Sequence, residues 1–128
     1  MNSSGHRVLL VDDDADSTEP LSLLLQTKGH ETRVANEGAD AIAIAAEFQP
    51  HVVLLDLGLP GMDGYEVARR LRQHPTGDAV VLVALTGWGG RDIRDKAAQA
   101  GFDYHLVKPV NWEELESIVD SVARDAVT

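Results

Sequence analysis

Cysteine is missing from all 128 residues. Disulfides and thiolate metal sites are therefore impossible, and a cytoplasmic location is the default expectation. Long apolar runs are missing too. The longest stretches, such as AVVLVAL from Ala79 to Leu85, are far shorter than the roughly 20 residues a membrane-crossing helix needs. The opening MNSSGHR has no apolar centre and does not read as a secretory signal. Positive charge is scarce: 11 Lys and Arg stand against 21 Asp and Glu, a net charge of −10. Nucleic-acid surfaces need clustered cations over the phosphates, so neither a nucleic acid nor a membrane is an expected partner. Tandem repeats and low-complexity segments are also lacking.

What is present is ordinary for one folded domain. Hydrophobic residues make up 44% and charged residues 25% of the chain. Short apolar, β-rich runs recur at Val8–Val11, Thr32–Ala35, Val52–Leu55, Val80–Leu85 and Tyr104–Val107. Helical spacing fills the gaps. Leu21, Leu24 and Leu25 form a first stripe, Ala41, Ile42, Ala45 and Ala46 a second, and Val67, Ala68 and Leu71 a third. The fourth, with Ile93, Ala97 and Ala98, is weak; the fifth runs through Trp112, Leu115, Ile118, Val119 and Val122. Asp63 followed by Glu66 predicts a capping box for the third helix. Gly29 and Gly101 mark the ends of the first and fourth helices. Pro20 predicts a late or loose start for the first helix.

Five strand–helix units in this order predict an α/β fold with a single five-stranded parallel sheet and helices on both faces. The flavodoxin-like strand order 2-1-3-4-5 is the leading arrangement, and it places ligands beyond the carboxyl ends of the strands. Those ends carry chemistry. The first strand runs into Asp12, Asp13 and Asp14, the third ends at Asp56, the fourth at Thr86, and the fifth at Lys108-Pro109. Carboxylates gathered on one rim repel one another by roughly 4 kcal/mol per pair at about 4 Å and an effective dielectric near 20. A lysine offsets part of this, and a hard divalent cation such as Mg²⁺, which prefers oxygen ligands, offsets the rest. A carboxylate can also attack a phosphoryl group and form an aspartyl phosphate, provided that cations and donors hold the phosphoryl oxygens.

The four segments VDDD (11–14), LLDLGLPGMDGYE (54–66), ALTG (84–87) and LVKP (106–109) together resemble the receiver domains of two-component response regulators. The likeness runs from about Arg7 to Arg124, which implies a domain over 7–124, a flexible segment over 1–6 and a tail over 125–128. It implies that Asp56 is the phosphoacceptor. Asp12, Asp13, Asp56 and the backbone carbonyl of Gly58 hold Mg²⁺ on this reading. Thr86 and Lys108 contact the phosphoryl group, and the Lys108–Pro109 bond is cis. The implied donor is a sensor histidine kinase or a histidine phosphotransfer domain. A downstream effector protein reads the change in the surface of helix four, strand five and helix five. The implied catalysis is confined to the domain's own phosphorylation and dephosphorylation, so it is not an enzyme acting on external metabolites. DLGLPGMDGYEVARRLR and GFDYHLVKPV most resemble receivers attached to hybrid sensor histidine kinases, or their stand-alone relatives.

The chain also departs from the family. An aromatic often lies three positions before the lysine and moves with the threonine; here that position is His105, beside Tyr104. His105 either takes the switch role or is a partly exposed strand histidine. Within Gly87-Trp88-Gly89-Gly90, Trp88 either shields the acyl phosphate or contacts a partner. Asp14 reads as a solvated charge or the start of a helix. His6, His30, His51 and His74 lack metal-ligand spacing and read as surface or packing residues. Trp112 reads as packing.

Three rivals compete with the receiver reading. A haloacid-dehalogenase-type phosphatase needs an aspartate two residues after the nucleophile, where Gly58 stands. A flavodoxin-like cofactor module needs a neutral phosphate loop where this chain has DDDAD. A pseudo-receiver, acting as a phosphorylation-independent interaction module, would not require the complete set of Asp12, Asp13, Asp56, Thr86 and Lys108.

Overall fold

The rhythm of apolar runs becomes a strict alternation of strands and helices. The structure, a computed structural model, describes residues 5–59, 63–74, 79–87 and 90–122. Its elements are β1 (Arg7–Val11), α1 (Ala15–Thr27), β2 (Glu31–Ala35), α2 (Gly38–Phe48), β3 (Val52–Asp56), α3 (Gly64–Gln73), β4 (Val81–Thr86), α4 (Arg91–Ala100), β5 (Tyr104–Val107) and α5 (Trp112–Ser121). All neighbouring strands pair in parallel, in the expected order β2-β1-β3-β4-β5.

Side chains alternate across a strand, so each buried strand feeds two cores. In β3, Val52 and Leu54 pack with Leu25 of α1 and with Leu115 and Val119 of α5. Val53 and Leu55 point the other way, toward Phe48 of α2, Val67 and Leu71 of α3, and Ala97 of α4. Helices α1 and α5 therefore cover one face, and α2, α3 and α4 the other. Burying each Leu or Val contributes on the order of 1.5–3 kcal/mol. Helix α4 buries two alanines, Ala97 and Ala100, and is held far more lightly. Among the described residues, no helix is long and apolar enough to cross a membrane.

Local chemistry adjusts several expectations. Helix α1 starts at Ala15, not late, because the Asp14 carboxylate caps it by accepting the Asp16 N–H at 3.0 Å. Pro20 lies inside the helix on its exposed side. The buried stripe of α1 is Thr18 and Leu25, with Leu21 half-buried, whereas Leu24 is turned to solvent. In α4, Ala100 is buried and Ala98 is exposed. Asp63 caps α3 through the Tyr65 N–H at 2.7 Å. Glu66 turns instead to Arg69 and Arg70, at 3.3 and 3.0 Å, so the capping box is only half made. Gly29 and Gly101 end α1 and α4 at φ of 93° and 106°, a conformation that glycine adopts without steric penalty.

Candidate functional site

Parallel strands deliver their carboxyl ends to one edge of the sheet, and backbone hydrogen bonds fix those ends against one another. The Asp12 N–H donates to the Ala35 carbonyl at 3.0 Å, and the Leu57 N–H to the Leu85 carbonyl at 2.9 Å. The Lys108 N–H donates to the Thr86 carbonyl at 2.7 Å, which couples the end of β4 to the segment after β5. The Lys108–Pro109 bond that follows is cis. Residues separated by up to 96 positions in sequence thus meet.

At the centre lies the Lys108 ammonium. Its Nζ donates to Asp12 Oδ2 at 3.0 Å and to Asp56 Oδ2 at 3.1 Å. Carboxylate oxygens of Asp12, Asp13 and Asp56 all lie within 4.8 Å of one another. The other oxygen of each bridged carboxylate receives a backbone N–H from two residues on, Asp14 to Asp12 at 3.0 Å and Gly58 to Asp56 at 2.9 Å. The Asp12 and Asp56 side chains are 4% and 12% exposed, whereas Asp13 faces solvent. Thr86 is buried at the end of β4.

The electrostatics are those of an over-filled acidic site. Burial pushes the Asp12 carboxyl above its ordinary range, and the Asp56 charge adds to this; the Lys108 and Asp14 hydrogen bonds oppose it without prevailing. Burial pulls Lys108 down, but its hydrogen bonds to Asp12 and Asp56, with their charges, outweigh that and raise it. Three carboxylates stand against one ammonium at a partly buried rim. This donor set fits a hard divalent cation: all oxygen, unneutralised, and with lone pairs left on both bridged carboxylates. Asp56, backed by a cation and presented at the strand end, is also suitably placed for nucleophilic attack.

The structure therefore brings together the predicted Asp12, Asp13, Asp56 and Lys108, with Thr86 adjacent through its carbonyl. Gly58 contributes its N–H to Asp56. His105 stands opposite Ala84 on the neighbouring strand, two positions before Thr86. Its Nε2 is buried with no hydrogen-bond partner among the described residues. Trp88 and Gly89, with the expectations attached to them, lie outside the described residues, as do residues 1–4 and 123–128.

Two supports escaped the sequence reading. A Cβ at Gly64 would lie 2.9 Å from the Leu57 Cα and 3.2 Å from the Asp56 carbonyl, so only glycine lets α3 start this close to the acceptor strand. The Asp63-Gly64 pair was the available signal. Arg72 of α3 donates to the carbonyls of Val80 and Gly101 and to the Asp103 carboxylate at 2.7 Å, and Asp103 also accepts the Leu82 N–H at 2.9 Å. No sequence pattern marks that clamp.

Comparison with known proteins points to one family. A family model described as the response regulator receiver domain matches residues 8–120. The chain is 33% identical over 112 residues to an uncharacterised 14.6 kDa protein of Leptolyngbya boryana, covering 88% of this chain and 86% of that one. It is 38% identical over 117 residues to the DNA-binding response regulator MtrA of Mycobacterium bovis, covering 90% of this chain and 49% of MtrA, so it spans about half the length of that relative. The receiver domain of sensor histidine kinase PA1611 from Pseudomonas aeruginosa superimposes with a TM-score of 0.83 at 29% identity, over 92% of this chain and 97% of that one. That structure holds a magnesium ion in its active-site cleft.

Proposed function

Because the chain belongs to the family of response regulator receiver domains, we propose that it is a phosphorylation switch in which Asp56 accepts a phosphoryl group from a partner's phosphohistidine. The observation that carries this reading is the Lys108 ammonium bridging Asp12 and Asp56 at 3.0 and 3.1 Å. An Asp56 oxygen attacks phosphorus, the phosphorus–nitrogen bond breaks, and the imidazole nitrogen leaves with the electron pair. Lys108 stabilises the charge on the transferring oxygens from a fixed position, which is worth more in a partly desolvated site than in water. The Thr86 hydroxyl supplies a further donor to the same oxygens.

Asp12, Asp13 and Asp56, with the Gly58 carbonyl, are the residues that would hold Mg²⁺. When bound, that ion neutralises the excess negative charge and that of the phosphoryl oxygens. The magnesium-bound receiver of the Pseudomonas kinase supports the same role for the matching acidic cluster here.

A sensor histidine kinase or a histidine phosphotransfer domain is the donor, and an effector protein reads the outcome on α4, β5 and α5. Thr86 and His105 are the switch pair. Burial, then the Arg94 charge, holds the His105 imidazole below its ordinary pKa, and its buried Nε2 has no hydrogen-bond partner among the described residues. Helix α4, anchored by two alanines, is the element most easily displaced.

Intact mass after incubation with acetyl phosphate and Mg²⁺ tests the proposal. The expected result is a gain of one phosphoryl group in the wild type and none in Asp56→Ala. No gain from acetyl phosphate or from a panel of histidine kinases would replace this reading with that of a phosphorylation-independent interaction module.

A further inference from the structure

The acidic cluster has an apolar neighbour at the same end of the sheet. A cavity of about 520 Å³ opens between the first half of α1 and the Lys108–Val110 segment after β5. Leu21, Leu54, Leu85 and Val110 line it with hydrocarbon. Leu54 and Leu85 belong to the core, at 0% and 4% exposure, so the cavity reaches down to the sheet. Helix α1 meets it with short side chains, the half-buried Ser17 and the buried Thr18. Protein interiors do not ordinarily leave a hollow of this size between a helix and a sheet. Its volume and apolar walls are those of a small-molecule site.

Its charged lining is unbalanced. Asp12, Asp16 and Lys108 all border the cavity. Lys108 is already engaged, since its Nζ donates to Asp12 at 3.0 Å and to Asp56 at 3.1 Å. Two carboxylates thus surround that one ammonium, and Asp13 adds a third to the cluster. Asp16 is not engaged. Its backbone N–H donates to Asp14 at 3.0 Å, but its carboxylate is exposed in the first turn of α1. Among the described residues that carboxylate takes part in no hydrogen bond or ion pair. A hollow of this volume is about 10 Å across, no more than a Debye length at about 0.1 M salt, so a charge inside it is felt at Asp12. An anion would be repelled there and a cation attracted.

We propose that this cavity binds a small organic amine, its apolar body seated between α1 and Val110 and its ammonium held at Asp16. The apolar walls select against simple inorganic cations, and the carboxylates select against anions. An ammonium here and a divalent cation at Asp12, Asp13 and Asp56 draw on the same negative field, so each weakens the binding of the other by the same factor. That coupling rests on the metal reading above; the amine site itself does not.

Naphthylmethylamine is the probe, with uncharged naphthalenemethanol and anionic naphthoate as controls, titrated in EDTA and followed by amide shifts. The amine should bind saturably, with shifts centred on Ser17, Thr18, Leu21 and Val110. It should bind about two- to fivefold more tightly than the alcohol, and naphthoate more weakly than the alcohol. Asp16→Asn should bring amine and alcohol to equal affinity, and Leu21→Trp, which fills the hollow, should abolish binding of both. Mg²⁺, at a concentration where Tm shows it bound, should weaken the amine about twofold and leave the alcohol unchanged. An amine no tighter than the alcohol, shifts centred elsewhere, or an amine preference that survives Asp16→Asn would overturn the proposal. An amine affinity unmoved by bound Mg²⁺ would place the ammonium away from Asp12 and overturn it as well. Should Leu21→Trp fail to fold, Asp16→Asn and the wild-type shift map decide. Failure of Asp56 labelling would remove the receiver reading and leave these outcomes standing, because binding is read on the unphosphorylated protein.

Discussion

Replacing Lys108 with methionine keeps most of the side chain's apolar stem and deletes its charge. In the wild type this ammonium lies 3.0 Å from Asp12 and 3.1 Å from Asp56, whose oxygens belong to a cluster spanning at most 4.8 Å. Two unit charges about 4.8 Å apart repel by roughly 3.5 kcal/mol at an effective dielectric near 20. With the bridge gone, that repulsion and the lost charge-assisted bonds should destabilise the fold by about 2–4 kcal/mol, a fall in Tm of roughly 6–15 °C for a domain of this size. Asp12→Asn should act in the opposite direction, adding about 1 kcal/mol, since it removes one of the crowded charges and keeps the shape.

The pH dependence of that gain has a definite sign. Asp12 has a folded pKa above its unfolded one, so ionising it costs the fold. The Asp12→Asn advantage should be complete near neutral pH and vanish below the ordinary carboxyl value of 3.8. Urea unfolding followed by circular dichroism, in EDTA and across pH, measures all of these quantities. A Lys108→Met protein as stable as wild type in EDTA, together with an Asp12→Asn protein no more stable than wild type, would refute the electrostatic account of the site.

Other expectations are simpler to check. Mg²⁺ at ten times its dissociation constant should stabilise the wild type by about 1.4 kcal/mol and Asp12→Asn by much less, read from Tm in a thermal scan. Arg72→Ala removes the guanidinium that ties α3 to the start of β4 and the turn before β5, and should cost about 2–4 kcal/mol in chemical denaturation. Gly64→Ala drives a methyl group into the Leu57 backbone, so it should lower both Tm and the rate of acetyl phosphate labelling of Asp56. Because burial and Arg94 depress the His105 pKa, the wild type should lose stability as pH falls below 6.5, and a His105→Phe protein should show a flatter profile over the same range.

Much of this was readable in the residues alone. The near-continuous apolar runs at Val8–Val11, Val52–Leu55 and Val80–Leu85 announced strands buried on both faces, and such strands occur in parallel sheets flanked by helices. Asp12, Asp56, Thr86 and Lys108 stood out because each directly follows or ends such a run. Other features were not readable because they depend on partners distant in sequence. Nothing near Leu24 says that it faces water, since that depends on how α1 is rotated over the sheet. Arg72 looks like any helix-surface arginine until Gly101 and Asp103 arrive beneath it from 29 and 31 residues away. Glu66 left its capping role because Arg69 and Arg70 offered it ion pairs.

The sequence by itself determined the alternation and the identity of the acidic and basic residues at the strand ends, because hydrophobic periodicity and chain direction are local properties. Tertiary structure decided the strand order and the distances: that one lysine bridges two particular carboxylates, that burial raises Asp12, and that Arg72 reaches Gly101 and Asp103. Those properties depend on separations of a few ångströms between residues far apart in sequence, and only packing the helices onto the sheet sets them.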